Sequence, residues 1–379
     1  MKSNVNKKVC FVFGTRPEAI KLAPLILEFQ KQKNIETDIC LTGQHKEMLS
    51  QVLSDFAITE TINLNLMQEN QTLTGFASLA IKSIDNYLQS SKPDIVFVHG
   101  DTSTALYGAL AAFYNKIPVA HIEAGLRTHN KYSPFPEEMN RTLVGKIAEL
   151  HFAPTDLSKQ NLLQENIDPN AIFVTGNTVI DALLLMVKMQ EGKSHKIEGL
   201  PDSLVASERK MVLITMHRRE NFGEGLEKIC QAISELATKF PDHYFVYPVH
   251  PNPNVIDNVK KYLSGKDNVY LISPQEYSKF VFLMNRSYLI LTDSGGVQEE
   301  APGLGKPILV LRENTERPEA LEAGTVKLVG TNSKLIVDTA TELLLNISSY
   351  NKMAESVNPY GDGKACSRIV DIVLKKLNA

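Results

Sequence analysis

Residues 95–123 read IVFVHGDTSTALYGALAAFYNKIPVAHIE, and this stretch decides the fold. Ile95–Val98 is an unbroken apolar run of strand length, Ser103–Tyr114 reads as a helix, and Pro118–His121 reads as a second strand. Strands that lack hydrophobic alternation are buried on both faces, and a helix between two of them implies a parallel pair. Asp101 and Glu123 each stand just beyond an apolar run, Ile95–Val98 and Ile117–Ala120. A charge there cannot belong to the strand's buried packing. In an open α/β sheet it points into the crevice past the carboxyl ends of the strands, where ligands bind.

The pattern extends in both directions. Upstream, the strands Val9–Phe13 and Thr37–Thr42 flank a helix over Glu18–Gln32, and another helix is expected over Thr72–Tyr87. Downstream come a helix at Glu137–Ala148, a strand at Leu150–Ala153, a helix at Leu157–Gln164 and a strand at Ile172–Val174. A polar stretch, Gln190–Lys210, interrupts the alternation, which then restarts with strands at Val212–Met216, Tyr244–Val249, Val269–Ile272, Leu289–Thr292, Ile308–Leu311 and Val326–Val329. Helices are expected between them at about Gly225–Lys239, Phe280–Asn285, Val297–Leu304 and Arg317–Ala323, and a last amphipathic helix at about Cys366–Leu377. The reading is α/β: two Rossmann-like doubly wound domains facing a central cleft. Residues 1–175 with 366–379 form the expected first domain, carrying the carboxylates, and 176–365 the second.

A chain of 379 residues exceeds one ordinary core, which agrees with two domains. Composition is that of a globular protein, 43% hydrophobic and 22% charged. A net charge of −3 gives no bulk attraction to nucleic acid or an anionic membrane, so an anionic ligand needs a local cluster of cations. No apolar run approaches the ~20 residues of a membrane span, and no signal peptide is read at the N-terminus. Cys10, Cys40, Cys230 and Cys366 match no zinc spacing, and no metal is expected. The cytoplasm is the expected compartment, with no nucleic-acid or membrane partner.

Several motifs bear chemistry. Gly14-Thr-Arg-Pro-Glu-Ala-Ile-Lys21 follows the first strand. Its amides, with Arg16 and Lys21, form either an anion site or a tight turn with two solvated cations. Asp293-Ser-Gly-Gly-Val-Gln-Glu-Glu300 places bare backbone between a strand and a helix. Ser294, Gly295 and Gly296 suit a diphosphate there, and Glu300 a pair of ribose hydroxyls, against the plainer reading of a helix capped by Ser294. His217, Arg218 and Arg219 cluster at a strand end, and Arg317 adds another cation to the anion site. Tyr277 and Phe280 can stack on a planar base or sit in the core. Asp101, Glu123 and Glu137 together suggest proton transfer, because crowded carboxylates acquire different pKa values. Any one of them could equally cap a helix or pair with Arg127 or Arg141. Glu138 is expected to be a solvated or capping acid.

Together these strings resemble the bacterial non-hydrolysing UDP-N-acetylglucosamine 2-epimerase family, in the family's order from residue 14 to about 330. Further matching strings are Thr-Gly-Gln-His-Lys-Glu-Met-Leu, Pro-Glu-Glu-Met-Asn-Arg-Thr, Gly-Asn-Thr-Val-Ile-Asp-Ala-Leu, Met-His-Arg-Arg-Glu-Asn and Thr-Glu-Arg-Pro-Glu. The resemblance implies a glycosyltransferase-B-like fold, a UDP site in the second domain, and interconversion of UDP-GlcNAc and UDP-ManNAc. Matched position by position, it implies Asp101, Glu123 and Glu137 for proton transfer. For substrate it implies Arg16, Lys21, Arg141, His217, Ser294, Gly295, Gly296, Glu300 and Arg317, with His217 counted among the catalytic groups; Phe280 is counted with the substrate residues as the aromatic that stacks on the base. Some members are activated by a second UDP-GlcNAc. Gln44 fits that site, whereas Glu47 and Asn70 differ from the Gln and Arg of activated members.

The chemistry explains the residues. The C2 proton of the sugar is not acidic, since no carbonyl carbon adjoins C2. Oxidation of a neighbouring carbon would need NAD, but no dinucleotide fingerprint is present and no cofactor is expected. The alternative is anti elimination of UDP to 2-acetamidoglucal and syn re-addition, supplying ManNAc units for cell-surface polysaccharide. A UDP-sugar glycosyltransferase of the same fold, a non-catalytic UDP-sugar sensor and a hydrolysing cousin are the competing readings. A homodimer is the expected assembly.

Overall fold

The computed structural model describes residues 6–43, 46–68 and 70–378. The chain divides into two compact units, Met1–Ala182 with Tyr360–Ala379, and Leu183–Pro359. The first crossing lies inside the helix Thr178–Gln190, later than the 175/176 boundary read from sequence. No composition break marks it. The return lies at 359/360 rather than 365/366, because Tyr360 already belongs to the first unit: its carbonyl accepts the Asn177 amide at 2.7 Å.

The first unit contains β1 (Lys7–Phe13), β2 (Ile35–Leu41), β3 (Ile62–Asn63), β4 (Ile95–His99), β5 (Val119–Ile122), β6 (Leu150–Ala153) and β7 (Ile172–Val174). They form one parallel sheet in the order β3-β2-β1-β4-β5-β6-β7. Val9 through Phe13 are wholly buried, as are Val96 through Val98, so both sheet faces are covered and alternation is absent. Phe11 and Phe97 stack across β1 and β4 with centroids 4.6 Å apart.

The second unit repeats the scheme with β8 (Met211–Thr215), β9 (Tyr244–Pro248), β10 (Val269–Ile272), β11 (Leu289–Thr292), β12 (Ile308–Val310) and β13 (Val326–Leu328). Their order is β10-β9-β8-β11-β12-β13, again parallel. In both sheets the strand order reverses once, between β1 and β4 and between β8 and β11. That reversal opens a crevice at the strands' carboxyl ends.

Several elements go beyond the sequence reading: helices Lys46–Asp55, Thr178–Gln190, Pro253–Leu263, Ser333–Leu345 and Ile347–Ala354, and the two-residue β3. Pro253–Leu263 buries only a narrow stripe, Val255, Val259 and Leu263, and its neighbouring asparagines and lysines hide the period. All four cysteines are buried free thiols, as the strand positions of Cys10 and Cys40 suggest.

The turn after β5 is held by close backbone approach. Gly125 has φ +92°, and a Cβ there would lie 2.2 Å from the Ser158 carbonyl oxygen. Gly192 has φ +72° with open space around it. Gly125→Ala is expected to cost at least about 2 kcal/mol, lowering the melting temperature by about 4–8 °C. Gly192→Ala carries the backbone strain alone and should cost about 1 kcal/mol. Equal melting temperatures for the two variants would contradict the clash.

Candidate active site

In the first unit, the loops after β1 and β4 flank the crevice, and a single buried acid ties them. Glu18, 1% exposed, accepts the Gly14 amide at 3.1 Å, the Thr15 amide and hydroxyl at 2.8 Å, and the Thr102 hydroxyl at 2.7 Å. Thr102 in turn caps the helix Ser103–Tyr114 by accepting the Ala105 amide. Asp101 is thereby fixed one residue before the helix's cap. Arg141 reaches it from the helix Glu137–Ile147 with Nη2–Oδ2 of 2.5 Å, and the Asn140 amide donates to its carbonyl at 2.9 Å.

Burial pushes the Asp101 carboxyl above the ordinary carboxylate range. Arg141 and Lys21 oppose this, and Glu123 and Glu137 add to it. These charges share one field, and Glu137 contributes from the first residue of its helix, half-buried. Glu123 follows β5 in a left-handed conformation, φ +61°, which a non-glycine residue holds only when its surroundings enforce it. The Lys21 ammonium hydrogen-bonds its carboxylate, the Asn177 amide donates to Oε1 at 3.1 Å, and His99 Nε2 lies 3.7 Å from Oε2. Burial lowers His99 to about 4 and keeps the ring neutral.

Glu138 departs from the sequence reading. It is 4% exposed and accepts the Thr128 and His129 amides at 2.8–3.0 Å, with Arg141 Nη1 3.4 Å away. It is neither solvated nor a helix cap. It anchors the loop that follows Arg127.

In the second unit, a buried acid again joins the loops at the strand reversal. Asp293, fully buried, accepts the His217 and Arg218 amides at 2.9–3.1 Å and the Asn221 side-chain amide at 3.2 Å. His217 Nδ1 lies 3.3 Å from its Oδ1. Burial lowers the His217 pKa, Asp293 opposes the shift, and Arg218 and His250 reinforce it.

Next along the chain, Ser294 precedes the six-residue helix Gly295–Glu300 and makes no side-chain cap bond, so the plain capping reading fails for its hydroxyl. A Cβ on Gly295 would lie 3.8 Å from Nη2 of both Arg218 and Arg317, and one on Gly296 would lie 3.6 Å from Glu300 Oε1. Arg317 is aimed by Glu299, whose Oε1 accepts its Nε at 2.5 Å. The resulting surface offers bare backbone, a hydroxyl and two guanidinium groups, a set suited to phosphate oxygens.

The first unit therefore gathers Lys21, Asp101, Glu123, Glu137 and Arg141. The second gathers Ser294, Gly295, Gly296, Glu300 and Arg317, with His217 on the shared carboxylate. Arg16 is exposed and Phe280 half-buried, and among the described residues neither is drawn in by a side-chain hydrogen bond or ion pair. Tyr277 is core, 9% exposed. Gln44 lies outside the described residues, as does the Glu47 side chain, and Asn70 is exposed. Sequence reasoning gave no role to Glu18, Asn177, Asp293 or Glu299. Each stands inside a motif it quoted, and Asp293 and Glu299 adjoin residues it chose.

The family model described as UDP-N-acetylglucosamine 2-epimerase matches residues 27–374. A UDP-N-acetylglucosamine 2-epimerase of Escherichia coli K12 is 53% identical over 96% of this chain and 97% of its own. The Neisseria meningitidis UDP-GlcNAc 2-epimerase, solved bound to UDP-GlcNAc, is 52% identical, with a TM-score of 0.83 over 97% of this chain and 100% of its own. An S. aureus relative solved with UDP is 46% identical, with a TM-score of 0.82 over 98% and 97%. Two parallel-sheet α/β units of this kind belong to the glycosyltransferase-B-like class.

The buried histidines set an acid limit on stability. Burial depresses His99 to about 4 and His121 to about 3, from an ordinary 6.5. As pH falls the unfolded chain takes up these protons first. The stability they confer is complete above about pH 6.5 and is lost toward pH 4 and 3. The raised pKa values of Asp101 and Glu18 act in the opposite direction at low pH. A variant that removes one histidine isolates its share. In thermal melts from pH 7 to 4, His121→Gln should lose stability less steeply than wild type, by up to about 1.4 kcal/mol per pH unit. Parallel curves would refute the assignment.

Proposed function

The chain belongs to the UDP-N-acetylglucosamine 2-epimerase family and is a C2 epimerase of that nucleotide sugar, and we propose that it works by eliminating UDP and adding it back. Supporting this most directly is Asp101: a desolvated carboxyl, raised in pKa, held beside Glu123 and facing two cations. Raising a carboxyl toward neutrality equips it both to take and to return a proton.

In the forward direction a carboxylate of the first unit removes the C2 proton. The C2–H electrons become the C1=C2 bond of 2-acetamidoglucal, and the C1–O electrons leave with the β-phosphate. A proton is then delivered to C2 from the opposite face, and a β-phosphate oxygen attacks C1 to give UDP-ManNAc. Asp101, Glu123 and Glu137 share these transfers. Arg141 and Lys21 hold the carboxylates apart in orientation and balance their charge. Arg16 is assigned to the same anionic substrate.

The second unit holds the leaving group. Ser294, Gly295 and Gly296 receive the diphosphate, Arg317 neutralises it, Glu300 takes the ribose hydroxyls and Phe280 flanks the base. His217, oriented through Asp293, directs a ring nitrogen at the charge that develops on the departing phosphate. An ordinary nucleotide-sugar site needs the second set alone. The carboxylate set distinguishes epimerisation from transfer. In the cell this activity, in the cytoplasm and in a homodimer, supplies ManNAc units for surface polysaccharide.

Asp101→Asn, Glu123→Gln and Glu137→Gln should each lower turnover by at least about a hundredfold, with the fold intact. Proton NMR with UDP-GlcNAc in D2O reads this. Wild type should yield both epimers with deuterium at C2, and near-normal exchange in any one variant removes that residue from the proton-transfer set. Free sugar as the product would sink the non-hydrolysing reading.

A further inference from the structure

We propose that Asn177 is a positioning residue for Glu123, aimed in turn by the chain where it re-enters the first unit. The assignment rests on Glu123 being one of the proton-transfer acids. Asn177 belongs to neither loop of the strand reversal. It stands between β7 and the helix Thr178–Gln190, yet its Nδ2 donates to Glu123 Oε1 at 3.1 Å. Two further bonds leave its side chain one orientation. The Asn177 backbone amide donates to the Tyr360 carbonyl at 2.7 Å, and Oδ1 accepts the Val179 amide at 3.0 Å. A backbone N–H only donates, so Oδ1 must face Val179 and Nδ2 must face Glu123.

The re-entering chain is itself laced to the outgoing one. The Asp181 carboxylate accepts the Ala365 and Cys366 amides at 3.2 and 2.9 Å, and Arg368 Nη1 donates to the Thr175 carbonyl at 3.0 Å. Asn177, 5% exposed, is therefore held from outside the loop that it orients. Glu123 needs such a partner. Its φ of +61° persists only when the surroundings over-determine it. Lys21 supplies a charge to the same oxygen, but an ammonium on a flexible stem fixes no direction. A planar amide pinned at its other end does. It also donates without adding a charge, so the balance among Lys21, His99, Asp101 and Glu123 is left undisturbed. Aspartate at 177 would keep the Val179 bond and turn an oxygen toward an anion, and alanine would lose both contacts.

Two variants of the full chain separate aiming from capping, with C2 exchange of UDP-GlcNAc followed by proton NMR in D2O at pH 8. Aspartate caps a helix start as well as asparagine does, so a merely structural role predicts a normal enzyme. Aiming predicts otherwise, because two carboxylates in contact repel. Asn177→Asp should melt within about 3 °C of wild type and lose at least about a hundredfold in kcat, with KM within about threefold. Asn177→Ser keeps a cap for the Val179 amide but falls short of Glu123. It should lose about tenfold in kcat, and it serves if the aspartate variant folds poorly. Near-normal kcat in either variant would overturn the proposal. A loss carried by KM, or a collapse of the melting temperature in both variants, would also overturn it, since each signals a reshaped backbone. Glu123→Gln distinguishes the two possible failures. Near-normal exchange in that variant sinks the proton-transfer reading of Glu123 and this assignment with it, whereas a crippled Glu123→Gln beside a normal Asn177→Asp sinks this assignment alone.

Discussion

Each unit is organised by one buried carboxylate whose hydrogen bonds tie together the loops on the two sides of a strand reversal. Glu18 joins the loop after β1 to the loop after β4, and Asp293 joins the loop after β8 to its own position after β11. Taking a carboxylate out of water costs several kcal/mol, and donors aimed at its oxygens offset that cost only when the loops sit correctly. The arrangement therefore selects one loop geometry. Asp101 and Arg16 follow from Glu18; His217, Arg218 and Ser294 follow from Asp293. Reactive groups on loops gain the rigidity of a sheet in this way, without being part of it.

The two sites solve opposite electrostatic problems. The first unit concentrates acids, with burial and mutual repulsion raising Asp101 and two cations preventing runaway protonation. The second concentrates cations and bare backbone, leaving room for an anion. An elimination that separates a proton from one carbon and a diphosphate from the next needs both environments.

Much of this was legible in residues 95–123, because apolar runs buried on both faces leave no ambiguity about a parallel sheet. Leu150–Ala153 and Leu289–Thr292, buried throughout, coincide with their strands for that reason, and the half-buried edge strand Val269–Ile272 was read from its apolar run alone. Helices whose apolar stripe is narrow, such as Pro253–Leu263, were not legible, and neither was a unit boundary inside a continuous helix. At the candidate site, charges beyond strand ends singled out Asp101 and Glu123, which the first unit gathers with Arg141 and Lys21. The carboxylates that position the loops stayed hidden, since Glu18 and Asp293 look in sequence like a helix-start acid and a turn acid. Glu138 misled for the same reason: beside Glu137 it looked like a solvated or capping acid, yet only the fold brings the Thr128 and His129 amides to it.

The central claim is that the C1–O bond breaks during epimerisation, and positional isotope exchange tests it most directly. UDP-GlcNAc carrying an oxygen label in the bridge between C1 and the β-phosphorus is incubated with the protein, and phosphorus NMR follows the label. Elimination frees the β-phosphate to rotate, so the label should migrate from the bridge to non-bridging positions while C2 exchanges with solvent. A label that stays in the bridge while C2 exchanges would contradict elimination and require a mechanism that leaves C1–O intact.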